Sequence, residues 1–145
     1  MNEMHLKFLS RSENEVFARN VVAAFALPLS PTLSELSDVK TAVSEAVTNC
    51  IVHGYRGGEG WIELSCRTEG DVLHIEITDS GRGIADVEQA LQPFYTTLPD
   101  EERSGMGFTI MQTFMSDFSV ISETGKGTTV RMSKKFGAKA AEDAR

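Results

Sequence analysis

The chain has 145 residues, of which 41% are hydrophobic and 24% charged, as expected for one globular domain that builds a core without disulfides or zinc. Its 14 Lys and Arg residues are outnumbered by 21 Asp and Glu residues, and the net charge of -7 argues against direct binding to nucleic-acid phosphates. The longest apolar run, from Val21 to Leu27, is too short to span a bilayer, so we expect no membrane contact, no signal peptide and a cytoplasmic location.

Hydrophobic periodicity predicts strands and helices along almost the whole chain. In chain order these are a strand at 4–8, helices at 12–27 and 32–54, strands at 62–66 and 73–77, one or two helical turns within 85–92, a helix at 108–115, and a hairpin of strands at 118–123 and 128–136. Capping-box spacing marks the first two helix starts, at Ser12 with Glu15 and at Thr32 with Glu35. Residues 94–106 follow neither period, which predicts a long lid loop.

This order of elements, with two hairpins, favours a two-layer α/β sandwich whose mixed, mostly antiparallel sheet carries helices on one face. We expect a single domain over residues 1–136, followed by a disordered tail at 137–145. Cys50 and Cys66 lie in apolar stretches without CxxC spacing, so they are expected to be buried free thiols.

One face of the long second helix carries polar side chains that suit phosphate chemistry. In SEAVTNCIVHGY, Glu45, Asn49 and His53 recur every four residues and therefore share a helix face. An amide oxygen is a hard neutral ligand for Mg²⁺, and a carboxylate one turn away can take a proton from an attacking hydroxyl. An exposed polar stripe explains this helix alone equally well, and His53 is better explained by contact with carbonyls at the helix end.

A second candidate site follows a predicted strand, in the segment DSGRGI. Asp79 can accept a hydrogen bond from an exocyclic amine such as that of adenine, while Gly81 and Gly83 let the backbone approach a base. On its own, the same segment is also a common Asp turn.

A third candidate is SGMGF, in which Gly105 and Gly107 precede an apolar helix. The N–H groups and dipole of such a helix start can hold phosphate, which an acidic chain without a P-loop lysine requires. The glycine pairs match neither the dinucleotide fingerprint nor the P-loop pattern. Alone, the segment is more simply explained as a flexible hinge.

Together and in this order, the three segments and the GKGTTV of the last hairpin resemble the Bergerat-fold ATP-binding family. That family includes type II topoisomerases, histidine-kinase catalytic domains and serine-kinase anti-sigma factors. The chain is similar to the serine-kinase anti-sigma factors of spore-forming bacteria over nearly everything before the tail, from MHLKFLSRSENEVFAR onward. The resemblance implies that ATP or ADP, with Mg²⁺, is held between the helices and a lid.

The resemblance also implies a role for nine residues. These are Glu45 as catalytic base, Asn49 as Mg²⁺ ligand, Asp79 as the adenine reader, Gly81 and Gly83 in the base pocket, Gly105 and Gly107 at the phosphate-binding end of the lid, Thr128 as support for the adenine end, and Arg103 as a cation that reaches the γ-phosphate. Arg103 is assigned by charge rather than by a motif match. The departures from the family pattern at Cys50, Ser80 and Arg82 remove no chemical role.

The implied activity is phosphorylation of a serine on an anti-anti-sigma protein, which inactivates that protein. The kinase otherwise binds a sporulation sigma factor and keeps it from RNA polymerase, and the family commonly forms homodimers. Three alternatives remain open: a stress-response anti-sigma kinase, an ATP- or ADP-binding module that only sequesters a partner, and a histidine-kinase catalytic fragment. Glu45 argues against the second, and the lack of a phosphoacceptor histidine in a long dimerisation helix argues against the third.

Overall fold

The computed structural model describes residues 1–92 and 107–137. Its elements are β1 (Asn2–Leu9), α1 (Ser12–Ala26), a 3₁₀ turn (Leu27–Leu29), α2 (Leu33–Asn49), a π-helical turn (Cys50–Gly54), β2 (Trp61–Glu69), β3 (Val72–Asp79), α3 (Val87–Ala90), α4 (Gly107–Phe114), β4 (Asp117–Glu123) and β5 (Gly127–Lys135). The predicted order of strands and helices is therefore confirmed. The predicted lid at 94–106 and the predicted tail beyond Gly137 lie outside the described residues.

The five strands form one sheet in the order β1-β2-β3-β5-β4. Each of the four pairings is antiparallel, so the sheet contains no parallel pair among the described strands. Alternation along the strands turns side chains such as Ile62 and Ile77 toward the helices, where both are fully buried. Because β5 lies beside β3, Thr128 at the start of β5 is paired with Asp79 at the end of β3.

Three helices cover one face of this sheet, which confirms the predicted two-layer sandwich. α2 lies between α1 and α4 and packs against both. Val22 of α1, Val43 and Val47 of α2 and Met111 of α4 are fully buried and form the centre of the core with the inward side chains of the strands. Their burial removes apolar surface from water and fixes α2 across the middle of the sheet.

The two predicted capping boxes have different outcomes. At the start of α2, Thr32 and Glu35 form the box, with bonds of 3.0 Å from the Glu35 N–H to the Thr32 hydroxyl and 2.9 Å from the Thr32 N–H to the Glu35 carboxylate. At the start of α1 the box is absent, because Ser12 is already helical and Arg11 is the N-cap residue. The Glu15 carboxylate instead accepts hydrogen bonds from Ser44 of α2 and from Arg19.

A π-helical turn extends α2 beyond Asn49. The backbone N–H of Tyr55 donates to the carbonyl of Cys50 at 2.9 Å, a bond that spans five residues instead of four. The wider turn ends at Gly54, where a Cβ would lie 3.0 Å from the carboxyl carbon of Asp79. The apolar stripe that predicts a helix to Gly54 is thus correct in length, but its last turn is not α-helical.

Cys50 and Cys66 are both buried free thiols, as expected. In the part of the chain that the structure describes, no helix combines the length and apolar character needed to cross a membrane.

Candidate functional site

A cavity of about 410 Å³ lies where α2, the sheet and α4 meet. Five predicted site residues line it, namely Asn49, Asp79, Gly83, Gly107 and Thr128. They come from the end of α2, the end of β3 and the segment after it, the start of α4 and the start of β5. The fold therefore brings together residues that are far apart in the sequence.

Asp79 forms the inner wall of this cavity and is only 5% exposed. One of its carboxylate oxygens accepts a hydrogen bond of 2.9 Å from the backbone N–H of Gly81, which closes the Asp turn. The thiol of Cys50 and the backbone of Thr128 also lie close to the carboxyl group and favour its charged form. The Gly81 N–H thus orients the carboxylate, and groups from two other segments border it.

Burial raises the pKa of the Asp79 carboxyl above its ordinary value, although these groups act in the opposite direction. Burial, followed by the charge of Asp79, raises the pKa of the Cys50 thiol. Cys50 therefore stays protonated and remains a donor to the carboxylate. A buried carboxyl group with a raised pKa in a cleft is a typical property of a binding site.

The two glycines after Asp79 are required by contacts within the protein. A Cβ on Gly81 would lie 2.2 Å from the carbonyl oxygen of Gly54, which belongs to the π-helical turn. Gly83 has a φ of 74°, and a Cβ there would lie 2.1 Å from the carbonyl oxygen of Glu123. Gly83 lines the cavity, whereas Gly81 packs behind Asp79.

Another part of the cavity lies between α2 and the first residue of α4. A Cβ placed on Gly107 would be 3.3 Å from a carboxylate oxygen of Glu45 and 3.3 Å from the amide nitrogen of Asn49. Glu45 and Asn49 therefore lie side by side, as their spacing predicts, and both face the start of α4. Asn49 lines the cavity, while Glu45 is one turn earlier in α2.

Two predicted site residues, Arg103 and Gly105, lie outside the described residues. Of the other seven, Asn49 and Gly107 line the cavity where α2 meets α4, with Glu45 beside them, and Asp79, Gly83 and Thr128 line it at the sheet, with Gly81 next to Asp79. We call these the α2–α4 end and the sheet end of the cavity.

Several lining residues were not predicted as site residues. His53 lines the cavity, and its backbone carbonyl accepts a 3.1 Å hydrogen bond from the side chain of Arg82, which also lines it. Asp86 and Gln89 of the α3 region form another wall. The i, i+4 spacing from Asn49 was a signal for His53, whereas no sequence pattern places α3 beside the cavity.

The oxygen atoms that line the cavity can hold Mg²⁺ only together with phosphate oxygens and waters, as in nucleotide-binding sites. Among the described residues, no group of three or more His, Cys, Asp or Glu side chains could hold a metal ion by itself. Asn49 offers one hard oxygen at the cavity wall, and Mg²⁺ in such sites takes one or two protein oxygens together with phosphate oxygens and waters. Asn49 thus suits a metal that arrives with a phosphate group.

Three relatives are similar to this chain over almost its whole length. The anti-sigma F factor of Thermoanaerobacter pseudethanolicus is 57% identical over 137 residues, which are 94% of this chain and 96% of the relative. The anti-sigma F factor of Clostridium acetobutylicum is 56% identical over 135 residues, covering 93% and 94% of the two chains. That of Geobacillus stearothermophilus is 54% identical over 136 residues, covering 93% of each.

A solved structure and a family model agree with these sequence matches. A crystal structure of the RsbU and RsbW domains of a Mycobacterium tuberculosis protein has the same fold, with a TM-score of 0.67 at 17% identity over 94% of this chain and 33% of that one. The family model described as a histidine kinase-like ATPase domain matches residues 8–134. The chain therefore belongs to the histidine kinase-like ATPase family, with anti-sigma F factors among its relatives.

Proposed function

We propose that this protein is an anti-sigma factor and protein-serine kinase, which binds a sporulation sigma factor and uses Mg-ATP to phosphorylate and so inactivate an anti-anti-sigma protein. The observation that carries the proposal is that Asp79 and Asn49, with Glu45 beside Asn49, line or border the same cavity. The names of the relatives, which match over 92% or more of this chain, support the sigma-factor partner.

The sheet end of the cavity suits adenine. Asp79 is a fixed hydrogen-bond acceptor in a site that is mostly apolar, where an exocyclic amine can donate to it. Ile77 and Val130 line the cavity near it and can cover the faces of a base. Thr128 supports this end through its backbone bond to Asp79 and through its hydroxyl, which lies 2.8 Å from that of Ser122.

The α2–α4 end suits the phosphates. α4 begins at Gly107, and the N–H groups and dipole at the start of a helix favour negative charge there. Asn49 supplies the oxygen for Mg²⁺, which neutralises phosphate charge when it is bound. Gly105 and Arg103 extend this end in the sequence: we assign Gly105 to the phosphate-binding part of a lid and Arg103 to the γ-phosphate.

Glu45 is the proposed base for the reaction. The hydroxyl oxygen of the substrate serine forms a bond to the γ-phosphorus, the bond from that phosphorus to the bridging oxygen breaks, and ADP leaves. The proton of the hydroxyl passes to the Glu45 carboxylate, because a serine hydroxyl is otherwise too weak an acid to react at neutral pH. Gly107 leaves the space beside Glu45 that a substrate hydroxyl needs.

The partners follow from charge and from the relatives. A net charge of -7 is complementary to a basic, DNA-binding sigma factor and requires no contact with nucleic acid by this chain. We place this interaction in the cytoplasm, where sigma factors compete for RNA polymerase, and we propose that the protein acts as a homodimer.

The proposal is tested by incubating the purified protein with γ-labelled ATP, Mg²⁺ and an anti-anti-sigma protein. We expect label on one serine of that protein, no label when the serine is replaced by alanine, and no label when Mg²⁺ is removed by a chelator. Binding of the sigma factor is measured in parallel by calorimetry. Sigma binding without any phosphoserine would overturn the kinase half of the proposal and favour a module that only sequesters its partner.

A further inference from the structure

The hydroxyl of Tyr55 bridges two strands at the point where their pairing ends. The hydroxyl donates to the backbone carbonyl of Trp61, the first residue of β2, at 2.5 Å. It accepts a 2.8 Å hydrogen bond from the backbone N–H of Ser80, the residue after β3. The last regular pair of these strands joins Ile62 to Asp79, so the hydroxyl continues the ladder by one position beyond it.

The position of Tyr55 is fixed by backbone hydrogen bonds to one residue before it and one after it in the sequence. Its backbone N–H closes the π-helical turn through the Cys50 carbonyl, and its own carbonyl accepts a 2.8 Å bond from Gly58. Against the ring lies Gly60, where a Cβ would come within 2.3 Å of the ring carbon Cε1. The hydroxyl therefore has little freedom to leave Trp61 and Ser80. Burial raises the pKa of Tyr55, which keeps the hydroxyl protonated and able to donate.

Ser80 is the residue between the carboxylate and the N–H that orients it. Asp79 precedes Ser80, and Gly81, whose N–H donates to the Asp79 carboxylate at 2.9 Å, follows it. Holding the Ser80 N–H therefore holds the whole Asp turn, and with it the direction in which Asp79 faces the cavity. We propose that Tyr55 is a positioning residue for nucleotide binding, whose hydroxyl keeps the turn from Asp79 to Gly81 in the orientation that accepts the adenine amine.

The proposal rests on the nucleotide function proposed above, and it makes a selective prediction. Tyr55 acts at the sheet end, so its hydroxyl should contribute equally to the binding of adenosine, ADP and ATP. It should not affect the rate of phosphoryl transfer once the site is saturated, because that step takes place at the α2–α4 end. Loss of the hydroxyl should therefore raise KM for ATP and leave kcat unchanged.

The test compares Tyr55→Phe with Thr78→Val, measuring adenosine and ADP affinities by calorimetry and kcat and KM for ATP. Thr78 is on the same strand as Asp79, and its hydroxyl lies 3.1 Å from that of Thr129, away from the cavity, so Thr78→Val is a matched loss of one hydroxyl. We expect Tyr55→Phe to weaken adenosine and ADP binding by the same factor, roughly 3- to 10-fold as for one neutral hydrogen bond, and Thr78→Val to change neither.

A second variant moves the ring without removing the hydroxyl. Gly60→Ala places a methyl group against the Tyr55 ring and should also weaken adenosine binding. Unchanged adenosine affinity in Tyr55→Phe, an equal loss in Thr78→Val, or a fall in kcat with KM unchanged would each overturn the proposal, and so would loss of folding in Tyr55→Phe. Failure of the unmodified protein to bind ADP would instead overturn the nucleotide function itself.

Discussion

The two ends of the cavity are built from different kinds of contact. At the sheet end, backbone packs on backbone: a Cβ on Gly81 would lie 2.2 Å from the Gly54 carbonyl oxygen, and one on Gly127 would lie 2.0 Å from the Asp79 carbonyl oxygen. These contacts join the π-helical turn, β3 and β5, which are distant in the sequence. The sheet end is therefore fixed by the fold itself.

At the α2–α4 end, the contacts are made by side chains. Glu45 and Asn49 project from one face of α2 toward Gly107, where a Cβ would come no closer than 3.3 Å to either of them. Glu45 is not among the buried positions of α2, which are five apolar residues and Glu35 near its start. We therefore expect that the proposed nucleotide binding and phosphoryl transfer can be changed separately, and that substitutions at the sheet end also change the stability of the fold.

The largest effect is expected at the α2–α4 end. Glu45→Gln removes the proposed base and should lower kcat for phosphoryl transfer by about 10²- to 10⁴-fold, with little change in ATP affinity. The matched control is Glu63→Gln, which removes a charge from an exposed position of β2. Equal rates for Glu45→Gln and the unmodified protein would remove Glu45 from its role.

The next largest effect is expected at the sheet end. Asp79→Asn replaces the charged acceptor and should weaken the binding of adenosine, ADP and ATP by roughly 10- to 150-fold, the range for hydrogen bonds to charged groups. Asp71→Asn, at the turn between β2 and β3, is the control and should bind ADP normally. If calorimetry finds full ADP affinity in Asp79→Asn, adenine is not recognised by this carboxylate.

A substitution at Gly81 tests whether the sheet end belongs to the fold. Gly81→Ala forces its new methyl group against the Gly54 carbonyl and should lower the free energy of unfolding by about 1–3 kcal/mol, as overpacking does. Urea unfolding measures the change, with Ser80→Ala at the neighbouring exposed position as control. A Gly81→Ala protein of normal stability would contradict the close backbone packing at this end.

The role of Asn49 predicts a smaller, metal-dependent effect. Asn49→Ala should weaken ATP binding by about 10-fold when Mg²⁺ is present, the scale on which single groups around a bound metal change affinity. Binding of adenosine, which carries no phosphate, should be unchanged with or without Mg²⁺. The same loss for adenosine as for ATP would show that Asn49 shapes the pocket and does not bind the metal.

The smallest effect is a pH dependence at Asp79. The folded protein has a raised pKa for this carboxyl, so folding disfavours its charged form, and the folded state carries a cost at pH values above that raised pKa. The cost is relieved as the pH falls through the raised pKa and is gone below the unfolded value of about 3.9. Urea unfolding should therefore show the unmodified protein gaining stability relative to Asp79→Asn as the pH is lowered. A relative loss would mean that the pKa of Asp79 is lowered instead.

Local patterns predicted the fold well because they depend on neighbouring residues only. The Thr32–Glu35 capping box and the alternation on β2 and β3 are examples. The Ser12–Glu15 box was wrong because tertiary contacts take the Glu15 carboxylate, which bonds to Ser44 of α2.

The part of the site that depends on local spacing was predicted from the sequence, and the part that depends on tertiary contacts was not. Glu45 and Asn49 lie one helical turn apart, and that spacing alone brings them together. The contact of Cys50 with Asp79, and the bridge from Tyr55 to Ser80, depend on the π-helical turn. The apolar stripe of α2 does not distinguish a π-helical turn from an α-helical one. The turn accompanies packing of Gly54 against the end of β3, which is distant in the sequence.

The most direct test of the two-ended cavity is a crystal structure of the protein with Mg²⁺ and a non-hydrolysable ATP analogue. We expect the adenine amine within hydrogen-bond distance of the Asp79 carboxylate, the metal on the Asn49 side-chain oxygen, and the γ-phosphate on the side of Glu45. An analogue bound in the reverse direction, or outside this cavity, would contradict the account.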